Sequence, residues 1–174
     1  SRPLAPVVVL ASDTGISATD KVTFAGIVTV SGIEANATWE FSNDNGVNWS
    51  AGPDNFTFAF INDGAKSLFI RQTDEAGNLG PVNQFSFTLD TVAPVIPTLA
   101  LNTDTGVSAL DKITKDGKII VTGLESTAGF EYSLNSGSSW ILGSGNSFTF
   151  TGDGAKLVRV RQIDLAGNIG AATA

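Results

Sequence analysis

Oxygen is the one strong ligand that this chain offers in quantity. Its 174 residues include no cysteine and no histidine, which excludes disulfides, thiol nucleophiles and thiolate metal sites together with the commonest general base and the usual zinc ligand. Aspartate, asparagine and glycine recur instead in short loops, among them Asp13-Thr14-Gly15, Asp74-Glu75-Ala76-Gly77-Asn78, Asp104-Thr105-Gly106 and Asp164-Leu165-Ala166-Gly167-Asn168. Carboxylate and amide oxygens at that density suit calcium better than any transition metal, because calcium takes six to eight oxygens at about 2.3 to 2.6 Å. Turn formation alone is the competing reading: Asp-x-Gly is a good turn without any ion, and Asp74 can simply cap a tight loop.

The loops come in pairs because the chain repeats itself. Asp13-Thr14-Gly15-Ile16-Ser17-Ala18-Thr19-Asp20-Lys21-Val22-Thr23 returns as Asp104-Thr105-Gly106-Val107-Ser108-Ala109-Leu110-Asp111-Lys112-Ile113-Thr114, an offset of 91. After a one-residue deletion, Arg71-Gln72-Thr73-Asp74-Glu75-Ala76-Gly77-Asn78 returns as Arg161-Gln162-Ile163-Asp164-Leu165-Ala166-Gly167-Asn168. Two copies of one domain follow, residues 1–91 and 92–174. They meet at Asp90-Thr91-Val92-Ala93-Pro94, a junction too short and too proline-stiffened for a flexible tether. The second copy stops before anything matching Gln84-Phe85-Ser86-Phe87-Thr88-Leu89-Asp90, so it is expected to lack its last strand through truncation. A start at Ser1-Arg2-Pro3 without methionine likewise reads as a piece of a longer polypeptide.

The elements that carry these loops have a period of two. Phe56, Phe58 and Phe60 alternate with small or polar residues, as do Phe85, Phe87 and Leu89; Leu68 and Ile70 repeat as Val158 and Val160 between outward Arg159 and Arg161. Asn45-Gly46, Asp63-Gly64, Asp116-Gly117 and Asp153-Gly154 mark turns, and helical spacing is absent. The expected fold is all-β: two tandem immunoglobulin-like β-sandwiches of about seven short strands each, without the Cys-Trp-Cys core of antibody domains. On such a sandwich Asp13, Asp20 and Asp90 fall at one pole of the first copy. Asp74 and Asn78 fall at the other, and Asp164 with Asn168 of the second copy points back toward the first. Four carboxylates, Asp13, Asp20, Asp90 and Asp164, are thereby expected to converge on the junction, where mutual repulsion calls for a cation.

Composition narrows the partners. Seventeen acidic against ten basic residues give a formal charge of -7 with no basic cluster, which argues against nucleic acid. No apolar run approaches the length of a membrane-spanning helix, and no membrane contact is expected of this fragment.

Three motifs in the same order twice, and a fourth once, now point to a family: Asp-x-Gly-x-Ser-x-x-Asp-Lys-[Val/Ile]-Thr, the Ser-x-[Asp/Asn]-x-Gly-x-x-Trp hairpin, Arg-Gln-x-Asp-x-Ala-Gly-Asn and, once, the closing Leu-Asp-Thr-x-Ala-Pro. Over nearly its whole length the chain resembles the bacterial Ig-like repeats of giant repetitive surface adhesins and biofilm-associated proteins. The resemblance implies a secreted, cell-surface stalk of monomeric tandem domains whose partners are neighbouring repeats and whose junctions are stiffened by Ca2+. It implies no enzymatic activity. The ligands carried over are Asp13, Asp20, Asp90 and Asp164, with Asp104 and Asp111 as equivalents facing a further repeat.

Two other readings compete. Ser42-Asn43-Asp44-Asn45-Gly46-Val47-Asn48-Trp49 matches the Asp-box hairpin of sialidase-like propellers, but two copies some ninety residues apart cannot close a propeller. A carbohydrate-binding module would use exposed aromatics, with Trp39, Trp49 and Trp140 as candidates; Trp39 reads as core, and Trp49 and Trp140 read as packing against their own domains.

Overall fold

The computed structural model describes all of residues 1–174. They form fourteen strands and no helix, and they divide into two compact units, Ser1–Thr91 and Val92–Ala174. The first unit contains β1 (Val7–Leu10), β2 (Val22–Thr23), β3 (Ile27–Ser31), β4 (Thr38–Ser42), β5 (Ser50–Ala51), β6 (Thr57–Ala59), β7 (Gly64–Thr73) and β8 (Asn83–Leu89). One sheet has the order β1-β3-β6 and the other β2-β8-β7-β4-β5, antiparallel throughout except where β2 joins β8 in parallel.

Alternation along these strands builds the core. Val28 and Val30 of β3 face Leu68 and Ile70 of β7 and Phe87 and Leu89 of β8, all buried. Trp39 occupies the place between sheets that a disulfide and its tryptophan hold in antibody domains. It lies flat over Gly52, where an added Cβ would come within 2.0 Å of the indole. Phe130 uses Gly143 in the same way in the second unit, at 2.1 Å. The period-two reading of Phe56, Phe58 and Phe60 needs one correction. Only Thr57–Ala59 is strand, and Phe56 sits just before it at φ 55°, 41% exposed, with its ring stacked 6.2 Å from that of Trp39.

The second unit contains β9 (Thr98–Leu101), β10 (Lys118–Thr122), β11 (Gly129–Ser133), β12 (Ile141–Leu142), β13 (Ser147–Thr149) and β14 (Arg159–Ile163), in sheets β13-β10-β9 and β12-β11-β14. It has no counterpart of β8 or β2, and β14 matches only the second half of β7. Its buried apolar core shrinks accordingly to Val121, Phe130 and Val160, with Tyr132 and Phe148 stacked beside them.

A glutamine closes each sandwich. Gln72, 1% exposed on the inner face of β7, accepts a hydrogen bond from the Glu34 amide at 2.8 Å. Its Nε2 donates to the carbonyls of Leu4 and Gly32 at 2.8 and 2.9 Å. Gln162 repeats the arrangement with the Glu125 amide and the carbonyls of Val95 and Gly123, at 2.8, 2.7 and 3.0 Å. One side chain thus ties the inner strand of one sheet to the chain entering the other sheet and to the bend that leaves it.

The Asp-box hairpin is a second repeated device. Asp44 Oδ1 accepts from the Ser42 hydroxyl at 2.7 Å and from the Asn48 amide at 2.9 Å, and the Trp49 indole donates to the Gly46 carbonyl at 3.0 Å. Asn135 takes the same place, accepting from Ser133 Oγ and the Ser139 amide, each at 2.9 Å. The Asn48 amide, the Ser42 hydroxyl and the Asn48 side chain hold the Asp44 carboxyl down to about 2 from its ordinary 3.8.

Two expectations follow. Gln72→Leu leaves two carbonyls and an amide without partners at about 1–3 kcal/mol for each buried unsatisfied group, so urea unfolding should show the first unit destabilised by roughly 3 kcal/mol or more. Because the folded pKa of Asp44 is depressed, its contribution is fully present above pH 3.8 and drains away as pH falls toward about 2. Asp44→Asn, the residue type that the second unit already uses there, should flatten the dependence of the first unit's melting temperature on pH across that window.

Candidate metal centre

A buried threonine organises the loop that carries Asp13 and Asp20. Thr23 is fully buried; its Oγ1 donates to the Ser12 carbonyl at 3.1 Å, accepts from the Ala25 amide at 3.0 Å and meets Thr14 Oγ1 at 2.9 Å. The loop folds around that hydroxyl, and Lys21 turns it at φ 60°. Asp13 Oδ2 then accepts from the Lys21 amide at 2.9 Å and Asp20 Oδ1 from the Val22 amide at 3.0 Å. The second unit repeats this bond for bond. Thr114 Oγ1 donates to the Thr103 carbonyl at 2.7 Å, Lys112 turns at φ 59°, Asp104 Oδ2 accepts from the Lys112 amide at 3.0 Å and Asp111 Oδ1 from the Ile113 amide at 3.0 Å.

One atom is left over in each loop. Asp13 Oδ1 and Asp104 Oδ1 are buried and have no hydrogen-bond partner. An oxygen of a carboxylate withdrawn from water without a donor is costly, and orphaned buried acceptors are scarce in folded proteins. The same orphan at the same place in both copies is a feature of the repeat.

The parallel pairing of β2 with β8 brings the end of β8 to this loop: the Thr88 amide donates to the Lys21 carbonyl at 2.8 Å and the Asp90 amide to the Thr23 carbonyl at 3.0 Å. Asp13, Asp20 and Asp90 therefore share one end of the first unit, as the sequence predicts. In the second unit Asp104 and Asp111 occupy the equivalent end without a counterpart of Asp90, since the strand that would carry it is absent. Within neither unit do three acidic side chains gather closely enough to hold an ion among themselves. A calcium ion held by Asp13 Oδ1 would therefore take most of its remaining positions from backbone carbonyls and water rather than from a cluster of carboxylates. The orphaned oxygen fits such an ion.

Asp74 lies at the other end of the first unit, the length of ten-residue β7 away, roughly 30 Å. Its two carboxylate oxygens are engaged by Asn78, Oδ1 by the amide at 2.8 Å and Oδ2 by Nδ2 at 2.8 Å, and the Asn78 side chain followed by its amide holds the carboxyl below the ordinary range. Asp164, 7% exposed, is bound by Asn168 through the same two contacts at 2.8 Å each. These loops satisfy themselves, in contrast to the loop of Asp13. Local spacing does not mark Thr23 and Thr114 as organisers of the loop, although both stand at the end of the repeated Asp-Lys-[Val/Ile]-Thr run.

The tryptophans are engaged too. The Arg71 guanidinium lies 3.8 Å from the centroid of the Trp49 ring and pairs with Glu40 at 2.9 Å; Arg161, Trp140 and Glu131 repeat this at 4.0 and 2.7 Å. Both indoles are half-buried, each with a face against its own sheet. Arg161 thus points away from the core but is covered by this stack rather than free in solvent.

No family model matches the sequence, and no curated protein matches it. Among solved structures, the fibronectin(III)-like modules of Clostridium thermocellum CbhA superpose with a TM-score of 0.50 at 12% identity, over 96% of this chain and 90% of that one. The FN1–FN3 domains of chicken CNTN1 give 0.48 at 12% identity over 99% of this chain, and a 1.5-MDa bacterial ice-binding adhesin gives 0.41 at 19% over 84%. The chain spans 66% and 54% of the lengths of those two. In fold, then, this chain is a tandem pair of β-sandwich units similar to fibronectin(III)-like modules.

Proposed function

We propose that this chain is a pair of calcium-stiffened extender repeats from the stalk of a bacterial cell-surface adhesin, projecting a distal binding domain for attachment or biofilm formation. The observation that carries the reading is the orphaned buried oxygen of Asp13, recurring at Asp104. An oxygen that no N–H or O–H reaches, on a carboxylate at the same end of the unit as Asp20 and Asp90, is a place for a cation. The tandem repeat and the short proline-containing connection at residues 90–94 support an extender, because ligating oxygens at the end of a domain act on the joint next to them. If the loosened state does not bind, calcium favours the stiffened state by RT ln(1 + [Ca]/Kd), about 2.7 kcal/mol at a hundredfold excess over Kd. Each unit has its own core, so the ion acts on the joint and is not needed for the sheets.

Two outcomes test this. Chelation should broaden the interdomain distance distribution in small-angle scattering while the β circular dichroism persists; an unchanged profile, with bound calcium verified beforehand by metal analysis, would sink the stiffening. Asp13→Asn keeps an oxygen for the Lys21 amide and removes the charge. In chelator it should unfold within roughly 1 kcal/mol of the parent, and in calcium it should lose most of the stabilisation that the parent gains. If calcium stabilises both proteins equally, the orphaned oxygen is not a ligand.

A further inference from the structure

The Asp-box hairpin of the first unit carries the one Asn-Gly pair of the chain, Asn45-Gly46. The pair forms the centre of a tight turn: the Val47 amide donates to the Asp44 carbonyl at 3.4 Å, with φ 61° at Asn45 and 83° at Gly46, the dihedrals of a type I′ turn. Asn-Gly enters this turn readily, because both central positions need positive φ. The same pair is chemically labile. A glycine nitrogen has no side chain beside it, so in an open chain it can reach the carboxamide of the preceding asparagine. The second unit builds the same turn from Ser136 and Gly137, at φ 59° and 94°, and has no carboxamide there to lose.

The folded turn blocks that reaction in two ways. Ring closure needs the Gly46 nitrogen eclipsed with Asn45 Cβ about the Cα–C bond, whereas ψ of about +30° at the first central position of a type I′ turn sets the two nearly opposite. The Gly46 N–H is also engaged, donating to Ser42 Oγ at 2.9 Å. Ser42 is 2% exposed, and its hydroxyl donates in turn to Asp44 Oδ1 at 2.7 Å, so the acceptor is fixed in place. Asn48 closes the far side, its amide 2.9 Å and its Nδ2 2.6 Å from the Asp44 carboxylate. Asn45 itself is exposed, and water reaches its carboxamide.

We propose that Asn45 is a latent modification site, converted to aspartate and isoaspartate only when the hairpin opens, and that the Ser42 hydroxyl sets how rarely it opens. In the open hairpin the Gly46 nitrogen gives its proton to solvent base and attacks Asn45 Cγ; the new N–C bond displaces the side-chain nitrogen, which leaves as ammonia. Water then adds to either carbonyl of the succinimide and breaks that carbonyl's bond to nitrogen, so the net change is one water consumed and one ammonia released, with no oxidation. Cleavage at the former side-chain carbonyl gives aspartate. Cleavage at the backbone carbonyl gives isoaspartate, which carries the main chain through Cβ and lengthens the turn. Either product sets a second carboxylate beside Asp44, and the lengthened backbone cannot retrace a type I′ turn, so the change runs one way. The site does not depend on calcium.

The test incubates the whole chain and, separately, a synthetic peptide of residues Ser42 to Trp49 in mildly alkaline buffer, follows product at Asn45 by peptide mapping, and reads backbone amide exchange at Gly46 of the chain. The chain should react more slowly than the peptide by roughly tenfold or more, because the reaction waits on opening of a hydrogen-bonded turn. Ser42→Ala should raise the rate at Asn45 and the exchange at Gly46 by the same factor, while Asn45→Ser, the residue type of the second unit, should give no product and leave Gly46 exchange as it was. Urea below the unfolding transition makes the comparison on the parent chain, whatever the stability of the variants: the two rates should climb together. Equal rates in chain and peptide would overturn the protection. A rate at Asn45 that does not follow Gly46 exchange in urea would overturn the opening mechanism, and a folded Ser42→Ala chain with both rates unchanged would overturn the part given to Ser42.

Discussion

Each sandwich is held at its waist by one uncharged side chain, and the arrangement around it follows from that bond set. Gln72 and Gln162 engage three backbone groups each from a fully enclosed position, bridging segments 68 and 40 residues away in the first unit and 67 and 39 in the second. The short amide must meet all three partners at once, which places the chain before β1, the bend after β3 and the inner face of β7 at fixed separations. An immunoglobulin domain gains the same registration from a disulfide between its sheets. A chain without cysteine gains it from hydrogen bonds that are strong because water is excluded. The alternation of β7 extends the effect outward: with Gln72 pointing in, Arg71 must point out, onto Trp49 and Glu40.

Around that frame the loops fall into two kinds that look alike in composition. The hairpin of Asp44 and the loops of Asp74 and Asp164 close on themselves, each carboxylate meeting donors within four residues. The loop of Asp13 closes only half of its carboxylate, and Asp104 repeats the shortfall. What separates a structural aspartate from a candidate ligand here is the number of donors that reach it. The Asx turn at Asp20 and the left-handed Lys21 aim the Lys21 amide at Oδ2, and nothing comes to Oδ1.

The contrast between the units measures how much a single strand contributes to a sandwich. Without a partner like β8, the second unit also lacks the short parallel strand, half of the long one and several buried apolar residues. Sheet order is cooperative in this sense: a strand's backbone groups are satisfied only if its neighbour's are, and the apolar face of each covers the other. The glutamine brace, the aromatic over glycine and the Asp-box hairpin survive intact, because none of their partners belongs to a counterpart of β8 or β2.

Much of this was legible in the residues. The offset of 91 shortening to 90 located two domains, alternation identified strands, and the Asp-x-Gly and Asp-Gly pairs marked turns, since each depends on neighbours in the chain. The shared end of Asp13, Asp20 and Asp90 also followed, because strand direction alone decides it. The exposure of Phe56 did not, since a positive φ one residue before the strand breaks a pattern that otherwise runs through it. Nor did the role of Gln72, which reads in sequence as one polar residue between Arg71 and Thr73; only the folded chain brings Leu4, Gly32 and Glu34 to it. The sequence by itself determined the repeat, the strand class and the loops that carry oxygen, all properties of local spacing. Tertiary structure decided which of those oxygens are satisfied, because hydrogen-bond donors from distant strands reach some carboxylates and leave Asp13 and Asp104 each with one oxygen that none reaches.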